Sequence, residues 1–182
     1  MKALRRDFLE ALPGQDVTRF KFVDETGVNL TYTRRYGRAP GGQRVDQPVP
    51  LHSGPNVTVI AALTPQGLEA VMEPDGAVNA AAFAVSLEQV LGPTLVPGNV
   101  VVHKSLGLAE LVEKRGARLL FLPPYSPDFT PMELAFSKLK TFLRTARART
   151  RQALTAAVRA ALDWISEGDA QNWFHHCGYH VH

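Results

Sequence analysis

This sequence predicts an α/β fold, a mixed sheet flanked by helices, and three observations predict it. Runs of β-forming residues separated by turn clusters fill the first part of the chain, as hairpins require. From Val100 a strand, a helix and a second strand follow one another, which is the pattern of a parallel crossover. From Thr130 onward the apolar residues recur at helical spacing. Strands first, a crossover next and helices last make one sheet with helices packed on it.

The elements follow in order. Residues 1–18 read as a lead-in, with at most a short amphipathic helix that sets Leu4, Phe8, Leu9 and Leu12 on one side and stops at Pro13-Gly14. The domain proper, residues 19–182, opens with Arg19 to Asp24, which alternates as a strand does and runs into Asp24-Glu25-Thr26-Gly27, a turn cluster that leaves Asp24 at the strand's end. Asn29 to Arg35 can return as the second strand of a hairpin. Its basic tail, Arg34, Arg35 and Arg38 around Tyr36, suits a nucleic-acid backbone. Residues 39–56, rich in Gly and Pro, read as an exposed loop.

Strands are expected again at Val57 to Leu63 and Leu68 to Glu73, and a helix at Asn79 to Leu91. Val100 to Val102 reads as a buried strand, Leu106 to Lys114 as the crossover helix, and Arg118 to Leu122 as the returning strand. Pro123, Pro124 and Pro127 forbid its continuation, because proline removes ladder donors and fixes φ. Thr130-Pro131-Met132-Glu133 then writes a helix start, with a side-chain cap, proline at the first helical position and a carboxylate at the third. Arg151 to Ile165 and Asp169 to His175 are the last helices, both expected on the sheet, with Trp164, Trp173 and Phe174 as core anchors.

With 182 residues, 45% of them hydrophobic and 20% charged, the chain can bury a core as one domain. A net charge of +3 permits nucleic acid as a partner without requiring it. Its distribution says more: residues 138–151 hold six Lys or Arg and no acid. One cysteine, Cys177, excludes an internal disulfide framework and suits a reducing compartment. No apolar run is long enough to span a bilayer and the start has no secretory pattern, so cytoplasm is the expected location.

The stretch from Leu119 to Lys140 carries the chemistry. Ser137, Lys140, Arg144, Arg147 and Arg151 follow Glu133 at alternating spacings of four and three and so share one helical face. A carboxylate able to hold a divalent cation, heading a row of phosphate-binding cations, suits phosphodiester chemistry on a polyanion. Thr130 with Glu133 is equally a complete capping box, and surface helices often carry basic stripes, so spacing alone leaves both readings open. The tail, His175 to His182, holds imidazoles and one thiol, but its spacing is poor for zinc and a packed or flexible tail explains it better.

Taken together, FVDETG, the Gly37-Arg38-Ala39-Pro40 stretch, LLFLPPYSPD and TPMELAFSKLK resemble the bacterial relatives of mariner transposases, the insertion-sequence six-thirty group. The resemblance implies a ribonuclease-H-like fold and a DDE catalytic domain for DNA cleavage and strand transfer, with two Mg²⁺ ions, Mn²⁺ as substitute, on its acidic residues. Asp24 matches the family's first catalytic aspartate and Glu133 its last acid. Lys138, Lys140, Arg144 and Arg147 would steer phosphates, with Arg34, Arg35 and Arg38 as further DNA contacts. The middle acid does not carry over: the family follows its strand with Asp-Asn and then His-Lys, whereas Val102 is joined directly to His103-Lys104. Neither Glu110 nor Glu113 is expected to substitute.

The implied partners are transposon-end and target DNA, a second copy of the chain on that DNA, and an upstream-frame helix-turn-helix polypeptide for the end-reading region expected to be absent. A non-catalytic DNA-binding remnant is the alternative to an impaired enzyme.

Overall fold

The computed structural model describes residues 2–46, 48–54, 56–72, 88, 95, 97–102 and 109–180. Among them five strands form one sheet: β1 (Phe20–Val28), β2 (Val57–Thr64), β3 (Gly67–Met72), β4 (Asn99–Val102) and β5 (Arg118–Phe121). Their order is β3-β2-β1-β4-β5. The first three pair antiparallel, while β4 and β5 run parallel to β1. The described helices are α1 (Lys2–Glu10), α2 (Ala109–Lys114), α3 (Met132–Ala146), α4 (Arg151–Asp163) and α5 (Glu167–His176).

Strand alternation assigns the two faces. Phe20, Phe22 and Val28 of β1, with Ala61 and Leu63 of β2, enter the larger core together with Met132, Phe136, Leu139 and Leu143 of α3. Leu154 and Val158 of α4, Phe174 of α5 and Tyr179 complete it. The intervening residues Val23, Ile60, Ala62, Val100 and Val102 face the other way, onto Val112 of α2. α3 packs on β1, α4 mainly on α3, and α5 on β3, so α4 is a second layer rather than a cover of the sheet.

Several expectations need correction. Asp24-Glu25-Thr26-Gly27 is not a turn: β1 continues to Val28, with Asp24 opposite Ala61 and Val28 opposite Val57. Residues 29–35 form no strand, because β1 finds its antiparallel partner in the longer and more apolar Val57–Thr64. The basic stripe is broken, since α3 ends at Ala146 with Arg147 in the left-handed region (φ 53°, ψ 39°) and Arg151 opens α4. Trp164, 46% exposed, is no core anchor, whereas Phe174 is fully buried. The expected helix at residues 79–91 lies outside the described residues except for Glu88, as do positions 106–108 of the crossover helix.

The lead-in docks on the proline loop that follows β5. Phe8 stacks on Phe129 with ring centroids 5.6 Å apart. Arg5 donates to Ser126 Oγ at 2.8 Å and to both carboxylate oxygens of Asp128, which holds the Asp128 carboxyl below its usual range. From the opposite end of the chain, the buried Tyr179 hydroxyl donates to the Phe129 carbonyl at 2.7 Å. Two distant segments thereby fix the loop that leads into α3.

Candidate functional site

Asp24 sits where the two edges of β1 part company. Pairing with β4 stops at Val23 opposite Val102, while pairing with β2 runs on to Val28. Asp24 is therefore the first residue of β1 beyond its described contact with β4. By alternation it shares the face of Phe20 and Phe22, the face covered by α3. It is half-buried, and its Oδ1 accepts the Glu25 N–H at 2.9 Å. Glu25 is exposed and alternates to the opposite face.

Glu133 approaches from the other side of the proline loop. β5 ends at Phe121, level with Val102, and Leu122 N–H still bonds the Val102 carbonyl at 2.9 Å. The loop thus leaves the sheet at the end where the β1–β4 pairing has just stopped. It turns through a short 3₁₀ segment, Pro127–Phe129, and α3 begins with Glu133 in its first turn, exposed. The two acids that sequence reasoning singled out are placed by topology on the same face at the same sheet end.

The capping box that would explain Glu133 without function is not formed. Thr130 Oγ1 accepts from Met132 N–H at 3.3 Å, so threonine does cap the helix. The Thr130 N–H, which a capping-box glutamate would accept, instead reaches the Pro127 carbonyl at 3.3 Å. The 3₁₀ turn has taken the glutamate's structural role, leaving its carboxylate available.

Hard divalent cations take oxygen ligands, and Asp24 and Glu133 are of the right chemistry for one. No group of three or more His, Cys, Asp or Glu residues capable of holding a metal ion occurs among the described residues. Glu110 and Glu113 lie on α2, which covers the face opposite Asp24, and Glu110 is 3.9 Å from Lys114. β4 itself, Asn-Val-Val-Val, offers no carboxylate. The junction with His103-Lys104, where the family's middle acid would stand, lies outside the described residues. Two carboxylates supply the donor chemistry for one ion, and a second would need further ligands.

The basic residues divide into three groups. Lys138 is engaged within the fold, its ammonium 2.6 Å from Asp169 and 4.7 Å from the centroid of the Trp164 ring. This pair, with the Ser166 cap, holds the Asp169 carboxyl down at about 2. Lys140 and Arg144 are half-buried on α3, with Arg144 lying 5.6 Å from the Tyr32 ring centroid. Arg34, Arg35, Arg38 and Arg147 are exposed and line one cavity of about 450 Å³. Sequence reasoning named all four but had no means to join the loop to the helix end. Arg149, which it did not single out, makes the join: its Nη1 donates to the carbonyls of Leu30 and Tyr32, each at 3.2 Å.

The described part of the tail packs into the fold. Tyr179 is 2% exposed, and burial pushes the Cys177 thiol up to about 11, away from the thiolate that zinc would require. His175 and His180 stack edge to face with centroids 5.0 Å apart. No described helix is long and apolar enough to cross a membrane.

The family model of the DDE superfamily endonuclease matches residues 19–155. Among curated proteins there is no match. Similar solved structures include the Mos1 mariner paired end complex with Mn, at TM-score 0.72 and 15% identity over 96% of this chain and 57% of that one. A pre-cleavage Mos1 transpososome matches at TM-score 0.70 and 13% identity, with 96% and 57% covered. The Mos1 transposase catalytic domain with raltegravir and Mg matches at TM-score 0.69 and 13% identity, with 96% and 86% covered. The chain thus spans 57% of the chains in the first two structures, and at such identities the likeness is one of fold, ribonuclease-H-like.

Proposed function

Because the chain belongs to the DDE superfamily endonucleases, we propose that it is the catalytic domain of a bacterial mariner-like transposase of the insertion-sequence six-thirty group, acting on DNA by metal-dependent phosphoryl transfer. One observation carries the reading: Asp24 and Glu133 stand on the same face at the same end of the sheet, with the glutamate released from helix capping. Asp24 and Glu133 would hold magnesium, or manganese in its place. Bound there, the ion would supply Lewis-acid assistance to attack at a phosphodiester. Lys140 and Arg144 on α3, with Arg34, Arg35, Arg38 and Arg147 beyond its end, would neutralise and orient the DNA backbone. The Mos1 transpososome and paired end complex support DNA as the partner, and the Mos1 structures with Mg and Mn support the cations. Residues 19–182 form the catalytic unit, with residues 1–18 as a lead-in braced on the proline loop, in a cytoplasmic protein.

A second reading rests on the absence of any carboxylate in β4: a remnant that binds DNA without cutting it. Calorimetric titration with Mn²⁺ separates the two. The chain is compared with Asp24→Ala and with a version carrying Asp-Asn restored between Val102 and His103. Two ions bound by the chain and lost in Asp24→Ala support the enzyme. Two ions bound only by the restored version make this copy catalytically dead, and no Asp24-dependent binding in either sinks the metal site.

A further inference from the structure

The cavity beneath residues 33–38 has a composition that backbone binding alone does not explain. Four guanidiniums, those of Arg34, Arg35, Arg38 and Arg147, line it, and none has an acidic partner among the described residues. Like charges held together without a counter-charge repel, so the site is built to take an anion. Its remaining wall is different in kind. Tyr36, 90% exposed, and Val45 and Val49, 49% and 61% exposed, turn aromatic and apolar surface into the same cavity.

The walls are held in place. Gly37 lies so close to Val45 that an added Cβ would fall 2.6 Å from Val45 Cγ1, so the two sides of the loop approach closely there. Arg149 ties the start of the loop to the segment after α3, and Leu30 N–H bonds the Ser53 carbonyl at 3.1 Å across its base. Arg147 is aimed from the helix end by its left-handed backbone, a conformation unusual for a residue with a side chain.

A paired duplex presents phosphates and sugars to such a wall and keeps its base faces stacked inside. An unpaired nucleotide presents a phosphate and a bare aromatic face together, which is what arginines beside an exposed tyrosine receive. The volume, about 450 Å³, falls in the range of about 300–1,000 Å³ that takes one small organic unit. We propose that this cleft takes a single unpaired nucleotide at the end of a DNA strand, its phosphate among the four guanidiniums and its base against Tyr36 and the two valines. The assignment rests on the DNA reading above and specifies which part of the DNA this surface receives.

Fluorescence anisotropy of the 182-residue chain tests it. The probes are a short blunt duplex, the same duplex with an unpaired single-strand end, and that end made abasic. The overhang should bind about tenfold more tightly than the blunt end, the scale of one base stacked on an aromatic ring. The abasic end should bind like the blunt one. Tyr36→Ala, on an exposed side chain, should weaken overhang binding far more than blunt binding and so erase the overhang preference. Arg38→Glu should weaken both. Equal binding of blunt and overhang ends, or an equal loss on both in Tyr36→Ala, overturns the proposal while leaving the DNA reading intact. No binding to any duplex overturns the DNA reading itself and this proposal with it. Free mononucleotide binding as tightly as the overhang would move the site to soluble nucleotides and overturn the assignment to DNA ends.

Discussion

Replacing Tyr179 with phenylalanine removes a single oxygen atom, yet it should destabilise the chain by about 1–3 kcal/mol. The ring itself is kept. It is 2% exposed and packs against Phe20, Phe22 and Phe174 at centroid distances of 5.8, 5.1 and 6.0 Å, contacts that phenylalanine reproduces. What is lost is the 2.7 Å bond to the Phe129 carbonyl, which is then buried without a partner. Tyr179→Ala adds the lost packing and should cost more, about 3–5 kcal/mol by analogy with other large aromatic deletions.

Urea denaturation should show the Tyr179→Phe midpoint falling at unchanged slope, and the melting temperature should drop by about 2–4 °C per kcal/mol in a chain of this size. A pH signature accompanies the change. Burial pushes the Tyr179 hydroxyl well above its ordinary value near ~10, so the folded state keeps a proton that the unfolded state loses. That contribution is complete below about pH 10 and is lost as pH rises from there toward the folded value, and the phenylalanine variant lacks it. Cys177 and Tyr32, also raised by burial, keep their own alkaline share in both proteins. A variant within about 0.5 kcal/mol of the parent, with the same alkaline profile, would refute the claim that this hydroxyl fixes the loop entering α3.

Three further outcomes follow from the same structure. Asp169→Ala removes both the 2.6 Å Lys138 pair and the Ser166 capping box, and should cost about 1–3 kcal/mol at pH 7. Because the folded Asp169 carboxyl is depressed to about 2, its contribution is present above the unfolded value near ~4 and fades as pH falls between the two. The difference between parent and variant in urea should therefore narrow from pH 5 to pH 2, and a constant gap would contradict this. Gly98→Ala places a Cβ 2.5 Å from the Arg19 carbonyl, a backbone atom that cannot swing aside. A loss of about 1–3 kcal/mol is expected, and unchanged thermal stability would show that the strands do not approach so closely. Arg147→Gly relieves a left-handed residue at φ 53° and should raise stability by roughly 1 kcal/mol while weakening oligonucleotide binding. Falling stability, or unchanged binding, would count against the role given to Arg147.

Where the sequence was legible, the information was local. The alternation of Phe20, Lys21, Phe22 and Val23 announced two buried faces, and Val100 to Val102 a strand covered on both. The prolines after Leu122 and the Thr130-Pro131 pair marked the loop and the helix start that place Glu133. Asp24-Glu25-Thr26-Gly27 misled because each residue type favours a turn, while pairing with Val57–Thr64 decides the matter 30 or more residues away. No one-dimensional reading reveals that β1 ends at Val23 for one neighbour and at Val28 for the other, yet this offset is what exposes Asp24.

The basic stripe failed for a related reason. Nothing between Lys140 and Arg151 is a glycine or proline, so periodicity alone carried the helix onward. The available signal was Thr150, whose side chain accepts from Ala153 N–H and restarts the chain as α4. Breaking the stripe changes its meaning. A continuous helix would have spaced Arg144, Arg147 and Arg151 along one rod, suited to following a backbone. The left-handed turn instead sends Arg147 across to Arg34, Arg35 and Arg38, and Lys138, off the stripe, is taken by Asp169. Cations distant in sequence thus enclose a cavity, and a polyanion can meet one pocket rather than a row of charges.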